Sequence, residues 1–89
     1  MTIVYSSRAL AQLTSVHEYL RDRSPATAEN VLASIRETIA RLEYLPRLGK
    51  RTDKSDVRVV IDPQYLYRVF YRIDGELVRV LRILHNSQH

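Results

Sequence analysis

Apolar residues recur every three or four positions in two stretches of the first half of the chain, which is the spacing of one helix face. The first stripe consists of Leu10, Leu13, Val16 or His17, and Leu20. It predicts an amphipathic helix that ends near Arg21. Ser6 or Ser7 can cap its start, because a serine oxygen accepts a hydrogen bond from a free N–H of the first turn.

A second helical stripe begins shortly after the first and is longer. It consists of Val31, Leu32, Ile35, Ile39, Leu42 and Leu45. Ser24 suits the N-cap position, and Pro25 suits the first helical position, where its missing N–H costs nothing. Pro46 and Gly49 interrupt the pattern. We therefore predict a helix over residues 25–45, about 30 Å long, followed by a polar and flexible connector.

Residues that favour β-structure form four runs. These are TIVYS at 2–6, VRVVI at 57–61, YLYRVFYRI at 65–73 and ELVRVLRIL at 76–84. Asp74 and Gly75 join the last two runs and predict a type I′ hairpin with positive φ at both residues. The order β-α-α-β-β-β predicts one α+β domain over residues 1–89, with a helical hairpin packed on a mainly antiparallel four-stranded sheet.

Alternation along the last two strands gives the sheet two partly apolar faces. In the third strand, one face carries Tyr65, Tyr67, Val69, Tyr71 and Ile73, and the other carries Leu66, Arg68, Phe70 and Arg72. Strict alternation in the fourth strand separates Val78, Val80, Arg82 and Leu84 from Arg79, Leu81 and Ile83. We expect the tyrosine face to contact the helices. The opposite face would then be a mixed apolar and arginine surface that a monomer rarely leaves uncovered, which indicates a partner.

The charge of the chain indicates what kind of partner to expect. Fourteen Lys and Arg residues oppose ten Asp and Glu residues, and the excess lies in the second half. Arginine predominates, and its planar guanidinium binds carboxylates and phosphates through paired hydrogen bonds. An acidic protein or a nucleic acid is therefore the expected partner. The candidate binding residues are Lys50, Arg51, Arg58, Arg68, Arg72, Arg79 and Arg82.

Several classes of protein are excluded by composition. The chain has no cysteine, so a disulfide framework and a thiolate metal site are ruled out. His17, His85 and His89 are too scattered to suggest a metal site, and we predict neither a metal nor a cofactor. No apolar run of 18 residues and no signal-peptide pattern occur, so a cytoplasmic protein without a membrane partner is expected.

The chain as a whole resembles the RelE/ParE family of toxins from bacterial type II toxin–antitoxin modules. The resemblance rests on SSRALAQLTSVHEYL, the link LPRLGKR after a long helix, VR at 57–58, and YRVFYRIDGELVRVLRILH. It implies the α+β fold predicted above and a cognate antitoxin that covers and silences the toxin. A higher-order toxin–antitoxin oligomer is a further implication.

The resemblance also implies one of two activities. ParE-like members inhibit DNA gyrase and cleave no RNA, whereas RelE-like members are ribosome-dependent endoribonucleases that cut mRNA. A nuclease would use Arg68 against the scissile phosphate and His85 as acid or base, aided by Arg58 or Arg82. Asn86 follows His85 where several RelE-like members have arginine, and no tyrosine follows. Gyrase inhibition is therefore the favoured hypothesis, with the endoribonuclease as the alternative and a degenerate binding module as a third.

Overall fold

Two helices pack on one face of a five-stranded sheet in the computed structural model, which describes residues 1–85. The elements are β1 (Thr2–Tyr5), α1 (Ser7–Arg21), α2 (Pro25–Ala40), a 3₁₀ turn (Arg41–Glu43), β2 (Lys50–Arg51), β3 (Val57–Ile61), β4 (Tyr67–Asp74) and β5 (Leu77–His85). The predicted α+β class and the order of the helices among the longer strands are confirmed.

The strand order in the sheet is β1-β5-β4-β3-β2. β1 runs parallel to β5, and the other neighbours are antiparallel. The prediction of four strands was wrong by one, because β2 lies where a flexible connector was expected. β2 has two residues, Lys50 and Arg51, which pair with Val59 and Arg58 of β3. A strand this short has too few positions to show the period of two by which strands are recognised.

Both helices begin where their capping residues predict. The Ser6 oxygen accepts a hydrogen bond of 3.0 Å from the amide of Ala9, and the Ser24 oxygen accepts one of 3.3 Å from the amide of Thr27. The predicted end of the second helix at residue 45 was too late. α2 ends at Ala40 and tightens into the 3₁₀ turn, a frequent way for a helix to finish.

The hairpin between β4 and β5 differs in its turn from the prediction. Asp74 pairs with Leu77, so the two loop residues are Gly75 and Glu76 rather than Asp74 and Gly75. Gly75 has φ of +62°, whereas Asp74 and Glu76 do not have positive φ. Positive φ at the first loop residue alone is typical of a type II′ turn, which favours glycine there. The predicted type I′ turn was therefore wrong.

A β-bulge in β5 changes which residues face the helices. Phe70 pairs with Arg82 while Tyr71 pairs with Val80, so Leu81 is the extra residue. Side chains of α1 and its N-cap bind the backbone groups that the bulge leaves without a partner in the sheet. The Ser6 hydroxyl donates to the Leu81 carbonyl at 2.9 Å, and the Gln12 side chain accepts from the Ile83 amide at 2.6 Å. The face assignment from strict alternation was wrong for β5. The residues of β5 buried against the helices are Val78, Val80 and Ile83.

The tyrosine face of β4 packs on the helices, as predicted. Val69 and Tyr71 are fully buried, and Tyr65, Tyr67 and Ile73 pack against the same core. This core also contains most of the apolar stripes of both helices, including Leu13 of α1 and Ile35 of α2. The prediction was wrong for the two ends of the stripes, because Leu10 is 52% exposed and Leu45, which lies beyond the end of α2, is 57% exposed.

A buried carboxylate joins the loop between β3 and β4 to α2. Asp62 is fully buried, and its oxygens accept hydrogen bonds from the amides of Gln64 at 3.3 Å and Tyr65 at 3.0 Å. The hydroxyl of Ser34 in α2 donates to the same carboxylate. These three donors provide the compensation that a buried carboxylate requires.

Within residues 1–85, no helix is both long enough and apolar enough to cross a membrane. The same part of the chain has no group of three or more His, Asp or Glu side chains placed to hold a metal ion.

Candidate interaction surface

The face of the sheet opposite the helices, called the open face below, carries most of the predicted binding residues. Residues paired across a sheet share a face, so the register assigns its members. They are Lys50 of β2, Val57, Val59 and Ile61 of β3, Arg68, Phe70 and Arg72 of β4, and Arg79, Arg82 and Leu84 of β5. Ile61 is 48% exposed, and most of the other apolar members are half-buried.

Phe70 lies between two arginines on the open face. The Arg68 guanidinium carbon is 5.6 Å from the centre of the Phe70 ring, and that of Arg82 is 5.5 Å away. Both distances are within the range of cation–π contacts, which orient a guanidinium against a ring. The three side chains therefore form a cluster with an apolar centre and two cations at its sides.

A small apolar groove lies beside this cluster. Its volume is about 160 Å³, and it is lined by Val57, Phe70, Leu81, Arg82 and residues 52–54. The Nε of Arg82 is buried and makes no hydrogen bond to any other described residue. A buried donor without an acceptor costs about 1–3 kcal/mol, so this position of the Arg82 guanidinium carries a cost in stability.

Like charges lie next to each other elsewhere on the open face. Arg72 pairs directly with Arg79 across β4 and β5, an arrangement that is unfavourable unless an anion offsets it. Arg79 also has its Nε 3.5 Å from an oxygen of Asp74, but both side chains are exposed and such pairs contribute little. The neighbouring positive charges of Arg72 and Arg79 therefore favour an acidic partner.

Two of the predicted binding residues are not on the open face. Arg58 pairs with Tyr71, on the helix side, and its guanidinium donates to the carbonyls of Gly49 at 2.9 Å and Arg47 at 3.5 Å. Arg51 pairs with Arg58 and so lies on the same side. The structure thus gives Arg58 an intramolecular role, and its role in binding stays a prediction.

The two residues of the nuclease hypothesis lie on opposite faces of the sheet. Arg68 pairs with Leu84 on the open face, whereas His85 pairs with Tyr67 on the helix side. The rings of Tyr67 and His85 meet edge to face with centres 4.9 Å apart. Burial raises the pKa of Tyr67, and the nearby Asp62 carboxylate and Tyr19 side chain raise it further, so Tyr67 stays neutral at physiological pH. Asn86 and His89 lie outside the described residues.

Sequence reasoning did not identify the groove. Arg82 lines it because the bulge at Leu81 moves the following residues of β5 to the opposite faces, and strict alternation cannot reveal this. The composition of β4 did predict an aromatic residue flanked by arginines, since Phe70 shares its face with Arg68 and Arg72.

Comparisons with known proteins agree with this architecture. The sequence profile described as "ParE toxin of type II toxin-antitoxin system, parDE" matches residues 3–89. The Toxin RelE2 of Caulobacter vibrioides is 31% identical over 86 residues, covering 97% of this chain and 96% of the relative.

Two solved structures share the fold. A chain of the chromosomal ParDE toxin–antitoxin system from P. aeruginosa superposes with a TM-score of 0.86 at 19% identity, covering 96% of this chain and 95% of the other. A chain of the RelBE2 toxin–antitoxin complex from Mycobacterium tuberculosis gives a TM-score of 0.70 at 25% identity, with 96% of both chains covered. The chain therefore belongs to the RelE/ParE superfamily, as a member of the ParE toxin family of type II toxin–antitoxin systems.

Proposed function

We propose that this toxin acts by binding and inhibiting DNA gyrase, and that a cognate antitoxin neutralises it in the cytoplasm. Gyrase inhibition is the activity that resemblance to ParE-like members implies, and the matching family profile supports that assignment. The proposal requires a binding surface on the protein but no chemical step.

The observation that carries the proposal is the position of Arg68 and His85 on opposite faces of the sheet. General acid–base cleavage of RNA requires the acid, the base and the charge-stabilising groups to converge on one phosphate. In this structure the open face brings together Arg68, Arg82 and Phe70, which suit binding, while the His85 ring contacts Tyr67. This arrangement supports a toxin that acts by binding its target and not by cleaving RNA.

The open face also supports an antitoxin as partner. The solved relatives from P. aeruginosa and M. tuberculosis belong to toxin–antitoxin systems. An antitoxin segment that combines an aliphatic side chain with a carboxylate would fill the groove and place its negative charge beside Arg82, which lines it. Its negative charge would also offset the repulsion between Arg72 and Arg79.

The endoribonuclease remains the second candidate, and one comparison favours it. The relative from C. vibrioides bears the name Toxin RelE2, and the arginines of the open face could equally bind phosphates. In that case Arg68→Ala would abolish mRNA cleavage in translating extracts, and undiminished cleavage would remove Arg68 from the site.

The two candidates are separated by assaying the purified full chain in two reactions. One measures the supercoiling of relaxed plasmid by DNA gyrase, and the other maps cuts in an mRNA during translation. We expect loss of supercoiling and no codon-dependent cuts. Codon-dependent cuts with normal supercoiling would overturn the proposal in favour of the nuclease, and inactivity in both assays would indicate a degenerate binding module.

A further inference from the structure

A polar cavity of about 410 Å³ lies at the β2–β3 hairpin and shares Val57 and residues 52–54 with the open-face groove. Its charged lining residues are Arg47, Arg51, Asp53, Lys54, Asp56 and Arg58. The volume is in the range of small-molecule sites in proteins, which is about 300–1,000 Å³. It is large enough for a ligand of several functional groups and much larger than a single bound ion needs.

The cavity carries an excess of positive charge. Four of its side chains are cationic and two are carboxylates. Neither ion pair found within residues 1–85 involves any of the six, since these pairs are His17–Glu29 and Arg79–Asp74. Arg58 already donates to two backbone carbonyls, so the cations available to an anionic ligand are Arg47, Arg51 and Lys54.

The walls of the cavity are held in place by the chain itself. Arg58 is fixed by its hydrogen bonds to the carbonyls of Gly49 and Arg47. The hydroxyl of Thr52 contacts the carbonyls of Lys54 and Val57, at 3.3 and 2.9 Å, and accepts from the amide of Lys54 at 3.2 Å. A loop ordered before binding loses little conformational entropy when a ligand arrives, which favours affinity.

The mixture of charges indicates the class of ligand. Arg47, Arg51 and Lys54 suit a phosphate group, to which arginine donates paired hydrogen bonds. The carboxylates of Asp53 and Asp56 would repel a purely acidic peptide, but they can accept hydrogen bonds from ribose hydroxyls or the amino group of a base. We propose that this cavity binds the phosphate of a nucleotide, presented either as a free nucleotide or within a nucleic acid strand.

The test is a titration of the ¹⁵N-labelled full chain, followed by its amide NMR shifts. The probes are AMP, adenosine, a short single-stranded oligonucleotide and a hexaglutamate peptide. We expect AMP to shift the amides of residues 51–58 and adenosine, which lacks the phosphate, to leave them unchanged. The double variant Arg51→Ala, Lys54→Ala should bind AMP about tenfold more weakly, because charged hydrogen bonds are lost.

The matched control is Arg21→Ala, which removes an exposed arginine of α1 and should leave AMP binding unchanged. Tighter binding of the oligonucleotide than of AMP at the same amides would support the proposal and identify a strand as the source of the phosphate, whereas equal binding would identify the free nucleotide. Three results would overturn the proposal. Hexaglutamate or adenosine could bind as tightly as AMP, or neither phosphate probe could shift the amides of residues 51–58.

Discussion

The hydroxyl of Tyr71, in the centre of the sheet, accepts a hydrogen bond of 2.9 Å from the backbone amide of Gly49. It also donates one of 2.6 Å to the carbonyl of Pro46. One buried side chain thus fixes the turn that carries the chain from the helices to the edge of the sheet. Arg58 holds the same turn from a second direction through the carbonyl of Gly49. The position of β2 therefore depends on this contact.

Gly49→Ala should destabilise the protein. An added Cβ would lie 2.7 Å from the Cε1 of Tyr71 and 2.8 Å from the carbonyl oxygen of Val59, distances at which something must shift. We expect a loss of about 1–3 kcal/mol in the free energy of unfolding, the usual cost of overpacking. Urea denaturation measures it, with Ser55→Ala in the exposed loop as control. Unchanged stability would mean that the turn is not fixed by this contact.

Tyr71→Phe should change both the stability and its dependence on pH. Burial raises the pKa of the Tyr71 hydroxyl above its ordinary 10.0, although the hydrogen bond from Gly49 and the charge of Arg58 lower it in part. A raised pKa in the folded state stabilises the protein below pH 10, and this stabilisation is lost as the pH rises through the folded-state pKa. Burial raises the pKa of Tyr5 and Tyr67 too, so they add to the fall.

We therefore expect Tyr71→Phe to be less stable than the wild type at pH 8, by about 1–2 kcal/mol, because the amide of Gly49 and the carbonyl of Pro46 lose their partner. Above pH 10 its free energy of unfolding should fall less steeply than that of the wild type. Urea denaturation between pH 8 and 11 checks both points, with Tyr44→Phe as a control at a tyrosine that is 81% exposed. Parallel curves for the wild type and Tyr71→Phe would contradict the prediction.

Asp62→Ala should be among the most destabilising single changes outside the apolar core. The substitution leaves the Ser34 hydroxyl and the amides of Gln64 and Tyr65 without their acceptor. Breaking a buried charged network typically costs about 3 kcal/mol. Thermal or urea unfolding at pH 7 measures the loss, and Asp53→Ala, an exposed loop carboxylate, should cost little by comparison. Equal effects of the two variants would show that burial of Asp62 does not matter.

Arg82→Ala should weaken toxicity without unfolding the protein. Arg82 contacts the Phe70 ring and lines the groove, so its loss removes a cation and a donor from the open face. In the gyrase assay we expect about a tenfold higher concentration for half inhibition, the effect of removing one important interface arginine. Arg21→Ala makes the same change of charge on α1 and should behave as the wild type. Equal losses in the two variants would indicate a general charge effect instead.

The fold was predictable where local chemistry determines it. Ser6 and Ser24 specify the helix starts, and the alternation in β4 correctly places Tyr71 and Val69 in the core. The errors arose where contacts distant in sequence decide. The bulge at Leu81 is accommodated by Ser6 and Gln12, more than 70 positions away, and no local pattern in β5 reveals it.

The same limit applies to the candidate surface. The arginine pattern of β4 predicted the cations at positions 68 and 72 on one face, since alternation alone determines their side. It could not show that Arg58 would be engaged by the turn at Gly49, because that contact depends on how the chain leaves the helices. Nor could it bring Arg82 beside Phe70, which requires the shifted register of β5.

The neighbouring positions of β1 and β5 affect how the protein can be made. A chain that leaves the ribosome amino end first exposes β1 at the outset, but its only strand neighbour, β5, emerges after every other element of residues 1–85. Ile3 and Tyr5 therefore cannot pair with Val78 and Val80 until β5 has been synthesised. Contacts so distant in sequence also slow folding. The sheet of a nascent chain thus stays incomplete until β5 has been synthesised, whatever the other elements have already formed.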